Sequence, residues 1–264
     1  MYDIILIGIG FVAVHLFKMM RLYLVLMEHR IPFWEFLLLY FRTTLVNLII
    51  PFKLGEIYRI EEISRKTRVW QVGVLSVVVD RFFDTLALFV LLLPTELILG
   101  HSVSKTTGFF YVVLLLAALI YLAIPGSFAY LNQYLIMRKS SARTMTALKG
   151  LDVIKKWYDF TRNLIKGRSM LILFASFLGW LSEIGTLCLI ESFMGNGFGP
   201  ADFAIYISSV FQAGENQLKT VYTQIGIWAL AIGTVIGYLV FAMCRLAESA
   251  EKKAAWQKQQ NSRM

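Results

Sequence analysis

A mostly apolar run from Ile31 to Ile50 stops at Pro51, and the chain goes on as Phe52-Lys53-Leu54-Gly55-Glu56-Ile57-Tyr58-Arg59. Proline removes a backbone donor and clashes with the preceding turn, while Gly55 relaxes the steric limits on the backbone. The helix signal therefore ends among groups that still need hydrogen-bond partners. Inside a bilayer, such irregular backbone survives only where protein or a water-filled cavity covers it. The stretch Asn47 to Arg59 is thus the first place to expect function.

That the setting is a bilayer follows from composition: 58% of residues are hydrophobic, 16% are charged and the mean hydropathy is +0.64, too apolar for a soluble domain of this length. Outer-membrane barrel strands would alternate apolar and polar residues, and Leu91-Leu92-Leu93 or Leu114-Leu115-Leu116-Ala117-Ala118 do not. The expected fold is all-α, a polytopic integral membrane helical bundle. The net charge of +9 sits in segments flanking apolar runs with no nucleic-acid motif beside it, which fits lipid headgroups and orientation rather than nucleic acid. Cys188 and Cys244 lie in apolar runs without neighbours at ligand spacing, and His15, His29 and His101 are isolated, so no disulfide framework, metal site or cofactor is expected. Met1-Tyr2-Asp3 leads directly into apolar residues without a signal-peptide leader, and the first span is expected to be retained.

Full spans are expected at 4–20, 69–93, 107–131, 169–194 and 224–244, with a kink or end at Pro125-Gly126. Between them, Glu56 to Arg68 reads as a wet helix with Arg59–Glu62, Glu61–Arg65 and Glu62–Lys66 at three- or four-residue spacing. Arg138 to Arg168 holds nine Lys and Arg, which assigns it to the cytoplasm. Within that segment Leu148, Leu151, Ile154 and Tyr158 fit either an amphipathic surface helix or part of a solvated basic linker. If 31–50 crossed fully, the five basic residues of Lys53 to Arg68 would lie outside; a hairpin returning to the cytoplasm removes the conflict. The same count makes 201–223 a second hairpin, returning to the external face. The membrane domain is then 1–245, with five full spans, re-entrant hairpins of opposite orientation near 31–68 and 201–223, and a cytoplasmic basic segment at 132–168. Residues 246–264 form a basic cytoplasmic tail. The expected location is the inner or cytoplasmic membrane, multi-pass, with the C-terminus inside. Opposed re-entrant segments resemble the inverted-repeat plan of many transporters.

Asn47 followed by the run Pro51 to Arg59, then Val77-Val78-Val79-Asp80-Arg81-Phe82-Phe83-Asp84, resembles the signature of the lysylphosphatidylglycerol synthase transmembrane-region, or flippase-like domain, family. Arg21 near the end of the first span fits it too. Asp80 stands where that family usually has Glu, and Gln212-Ala213-Gly214-Glu215-Asn216 keeps only the Gly and Glu of its second-half segment. The chain ends soon after its last span, so the resemblance implies lipid translocation rather than synthesis of an aminoacylated lipid.

Charged groups inside apolar spans pair within the bundle or line a polar path. For Asp80, Arg81 and Asp84 both readings stand: an ion network holding the hairpin, or a substrate site. Asn47, Lys53, Gly55, Glu56 and Arg59 are expected to line a headgroup cavity, with Lys53, Arg59 and Arg81 on phosphate and Glu56, Asp80 and Asp84 holding them. Glu183 and Glu215 are candidate partners for the hairpin cations. No catalytic motif stands out, and the expected function is movement between leaflets of a phospholipid or lipid-linked saccharide with an anionic or zwitterionic headgroup. The alternative is a non-catalytic membrane subunit that anchors or regulates a glycosyltransferase or other envelope-biosynthesis enzyme.

Overall fold

The computed structural model describes residues 2–50, 54–98, 104–137, 142–211 and 216–261. Among these the chain is helical: α1 (Tyr2–Leu26), α2 (Phe33–Ile49), α3 (Gly55–Thr67), α4 (Trp70–Ile98), α5 (Lys105–Met137), α6 (Ala142–Ile165), α7 (Ser169–Phe193), α8 (Pro200–Phe211) and α9 (Gln217–Asn261). Four helices are long and apolar enough to cross a membrane, over Ile4–His29, Lys105–Met137, Ser169–Phe193 and Gln217–Met243. Their outward faces carry exposed residues such as Ile9, Leu116 and Ile232. A bilayer solvates such faces, so they need no protein cover. The 29 residues of α4 are also long enough to cross, at about 43 Å of rise, but Asp80, Arg81 and Asp84 lie along it.

The 17 residues of α2 rise only about 25 Å, short of a hydrocarbon core of about 30 Å. After it the chain folds back: Lys66 near the end of α3 pairs with Glu35 in the first turn of α2. A Cβ at Gly55 would sit 2.2 Å from the Asn47 Cα, so only glycine lets α3 start this close to α2. On its other side α3 lies against α4, where Gly73 faces Ser64 and the Ile60 carbonyl.

The largest interface joins α1 to α7, and Gly10 meets Thr186 there. One buried cluster, including Phe11, Leu88, Leu187, Phe203 and Leu218, ties α1, α4, α7, α8 and α9 together; a second, around Phe36, Leu39 and Ile63, seats the α2–α3 hairpin on α1. Leu164 of α6 joins a third with Val25, Val79 and Ile172.

Several boundaries differ from the sequence reading. Pro94 lies inside α4 and Pro125 inside α5, where neither ends the helix. Proline is tolerated in apolar helices when neighbouring groups take up the freed carbonyls. The segment after α5 is helical over α6 rather than a linker. At the second hairpin, α8 has 12 residues, but α9 runs unbroken from Gln217 to Asn261. The expected return arm and the last span, divided near Gln224 in the sequence reading, are one helix, and the tail through Asn261 continues it. Nothing between 217 and 243 interrupts the apolar helix signal, which explains its continuity.

Candidate functional site

The α2–α3 hairpin is joined by a ladder of polar pairs. From the break outward, Asn47 Nδ2 donates to Glu56 Oε1 (3.1 Å), Arg59 Nη2 donates to Thr44 Oγ1 (3.2 Å), Arg42 pairs with Glu62, and Lys66 Nζ lies 2.5 Å from Glu35 Oε2. The pairs advance by about a turn each along α3, at 56, 59, 62 and 66, and run backwards along α2, at 47, 44, 42 and 35, as two antiparallel helices require. Pairing along α3 does occur at i,i+3, in Arg59–Glu56 and Arg65–Glu62, but with partners other than those expected. Arg59 pairs with Glu56 rather than Glu62, Lys66 with Glu35 rather than Glu62, and Arg59 and Glu62 are buried rather than wet. An α3 residue facing another helix gains more from a partner there than from a solvated neighbour in its own helix.

Behind the ladder, α4 supplies three charges. Asp80 receives a two-pronged bond from Arg21 of α1, Nε to Oδ1 at 2.6 Å and Nη2 to Oδ2 at 3.1 Å, while Arg21 Nη1 bonds Asp84 and reaches Ser176 Oγ at 3.4 Å. Arg59 Nη1 lies 3.6 Å from Asp80 Oδ2 and 3.8 Å from Glu56 Oε2. Arg81 binds Glu56 through Nη2 and lies 3.7 Å from Asp84 through Nη1. Asp80 thus stands between two arginines from two different helices, and Glu56 links Asn47 to Arg81.

A second polar cluster adjoins it. Lys18 Nζ lies 2.5 Å from Glu183 Oε2, and the Tyr206 hydroxyl donates to Glu183 Oε1 at 3.3 Å. Lys18 also lies 5.6 Å from the Trp180 ring centroid, and Trp180 Nε1 donates to the Asp84 carbonyl at 3.1 Å. Glu183 was expected to partner the hairpin cations; its cation is instead Lys18 of α1. Lys53 and Glu215 lie outside the described residues.

These groups border a cavity of about 180 Å³, lined by Lys18, Arg21, Asn47, Arg59, Asp80, Arg81 and Asp84 together with Tyr40, Thr44 and Tyr222. Four cations, Lys18, Arg21, Arg59 and Arg81, face four carboxylates, Glu56, Asp80, Asp84 and Glu183. Arg21, Arg59 and Asp80 are almost wholly buried, whereas the Arg81 side chain is 43% exposed. Among the described residues four buried polar atoms in the same region have no hydrogen-bond partner: Asn47 Oδ1, Glu56 Oε2, Arg59 Nε and Arg81 Nε. Among the described residues no three of His, Cys, Asp and Glu come together as a metal site.

The lysylphosphatidylglycerol synthase TM region model matches residues 3–211, from the start of α1 to the end of α8. The chain belongs to this family. No curated protein and no solved structure gives a match. As a lysylphosphatidylglycerol synthase TM region it is a multi-pass membrane protein of lipid or envelope biosynthesis or transport. The structure brings Asn47, Gly55, Glu56, Arg59, Asp80, Arg81 and Asp84 of this TM region into one place.

Sequence reasoning missed the parts played by Lys18, Thr44, Tyr206 and Arg21. Lys18 and Arg21 sit one turn apart on α1, a spacing that marks two cations on one helix face.

Proposed function

We propose that this protein moves an amphiphile between leaflets, passing its headgroup through the polar cavity while the hydrocarbon stays in the bilayer. The observation that carries the reading is the set of four buried atoms without a hydrogen-bond partner among the described residues, two donors on Arg59 and Arg81 and two acceptors on Asn47 and Glu56, the last held only by the 3.8 Å approach of Arg59 Nη1. Leaving such atoms bare costs about 1–3 kcal/mol each, so the cavity favours a guest that meets them.

A purely anionic guest accepts only. It would answer the two arginine Nε donors and leave Asn47 Oδ1 and Glu56 Oε2 unmet. Lys18, Arg21, Arg59 and Arg81 line the cavity with Asp80 and Asp84, and Glu56 and Glu183, outside the lining, pair with those cations, so the ion-pair network as a whole is balanced, four against four. A phosphate carrying a hydroxyl or ammonium group meets both kinds of atom. This favours a zwitterionic phospholipid with a primary ammonium, or a lipid-linked saccharide, over a headgroup without donors. In this scheme Arg59 and Arg81 face the phosphate, Glu56 and Asn47 face the donor, and Asp80 and Asp84 hold the arginines.

The test is reconstitution into vesicles containing trace headgroup-labelled lipids: a zwitterionic phospholipid, an anionic phospholipid and a polyprenyl-linked saccharide. Scrambling above empty vesicles is expected for the zwitterionic lipid or the saccharide. No scrambling of any of the three would end the proposal.

A further inference from the structure

The polar cavity has an apolar neighbour. Between α1, α2 and α9 runs a groove of about 320 Å³, lined by Gly8, Val12, Leu16, Phe41, Gly233 and Ile236 among others. It shares Phe11, His15 and Leu230 with the polar cavity, so one wall separates a charged space from a hydrocarbon-like one. Phe11 and Leu230 are buried in that wall, whereas Val12, Leu16, Ile232 and Ile236 are exposed on the groove's outer face. His15 is the polar side chain on the seam, and its Nδ1 lies 3.1 Å from the Tyr40 hydroxyl, which points it toward the polar side. At Gly8 an added Cβ would meet nothing within 4 Å, so the groove is open there.

We propose that the groove holds a hydrocarbon chain of the same amphiphile whose headgroup occupies the polar cavity. Phe11, His15 and Leu230 would then form the sill between the two. The inference rests on the reading of the polar cavity as a headgroup site and adds where the tail goes. A headgroup among buried ions cannot take its methylenes with it, since each would lose its favourable apolar surroundings in a polar setting. The chain must leave by an apolar route that begins at the cavity wall, and the groove begins there. An ordinary boundary lipid would need no such shared wall.

Gly8→Phe fills the groove from a position with free space, and Val12→Trp fills it from the next turn. Gly108→Phe on α5 is the control, because an added Cβ there also meets nothing within 4 Å and the residue lies outside the groove. In vesicles of phosphatidylcholine with trace acyl-chain-labelled phosphatidylethanolamine, Gly8→Phe and Val12→Trp are expected to lower scrambling of the labelled lipid at least about tenfold while Gly108→Phe stays at the wild-type rate. Scrambling by both groove variants at the control rate would overturn the proposal.

A photoreactive group on the acyl chain of phosphatidylethanolamine, whose primary ammonium supplies the donors the polar cavity calls for, tests the groove even if the wild-type protein scrambles nothing. Crosslinks concentrated on the groove residues of α1 and α9, and reduced in Gly8→Phe, support it. Crosslinks spread equally over the exposed face of α5 would mark boundary lipid only and overturn it. Absence of scrambling by the wild type removes the transport reading, whereas the crosslink pattern alone decides the tail position.

Discussion

Arg21 and Arg81 belong to the same ion network, 59 and three residues away from carboxylates they share or border, yet they are held in opposite ways. Every nitrogen of Arg21 has a partner: Nε and Nη2 on Asp80, Nη1 on Asp84 and Ser176. Arg81 has one firm bond to Glu56, a longer approach to Asp84, and a buried Nε with no partner. A fully satisfied buried ion cluster is closed to ligands and fixes geometry, whereas a half-satisfied one is a liability unless something else completes it. The network therefore divides into a structural part on α1 and α4 and an open edge where the α2–α3 hairpin meets α4. The structural reading of Asp80 and Asp84 fits the closed part, and the substrate-site reading is what we propose for the open edge.

Breaking the closed part is expected to have the largest effect on stability. Arg21→Met leaves Asp80 and Asp84 without their main cation and should destabilise the protein by about 3–5 kcal/mol, visible as a lower melting temperature in detergent. Melting close to wild type would place Arg21 outside the structural part. Gly55→Ala comes next. Its Cβ would press on the Asn47 backbone at 2.2 Å, so the hairpin must open, with a cost of about 1–3 kcal/mol and faster protease cleavage between α2 and α3. Tyr206→Phe removes one hydrogen bond to Glu183 while Lys18 stays in place, and a loss of about 1 kcal/mol is expected. Lys66→Ala, at the solvated end of the ladder, should change stability by less than about 1 kcal/mol. A loss from Lys66→Ala as large as that from Arg21→Met would erase the contrast between buried and peripheral ion pairs.

That α2 and α3 are separate helices was legible in the sequence because proline and glycine act locally. The pairing inside the site was not. Arg59 and Glu62 sit at helical spacing and read as a surface pair, but the packing of α3 against α2 and α4 buries both and gives each a partner on another helix. Arg21 was visible as part of the family pattern. Its position at the hub depends on α1 passing beside α4, which no spacing within α1 encodes. The second hairpin was the least legible. Its divider at Gln224 came from a need to balance charge, while α9 follows an apolar pattern without a breaker. Pro94 and Pro125 show the same limit, since a proline's effect depends on what surrounds the helix.

The central claim is that the open edge meets a headgroup, and Arg81→Gln tests it most directly. The side chain is 43% exposed, so its loss should move the melting temperature by only a few degrees. If Arg81 meets the headgroup, losing a charge-assisted bond worth about 1.5–3 kcal/mol should slow scrambling about 10- to 100-fold in vesicles with equal amounts of folded protein. Scrambling by Arg81→Gln at the wild-type rate, with the fold intact, would contradict the account and leave the network as structure alone.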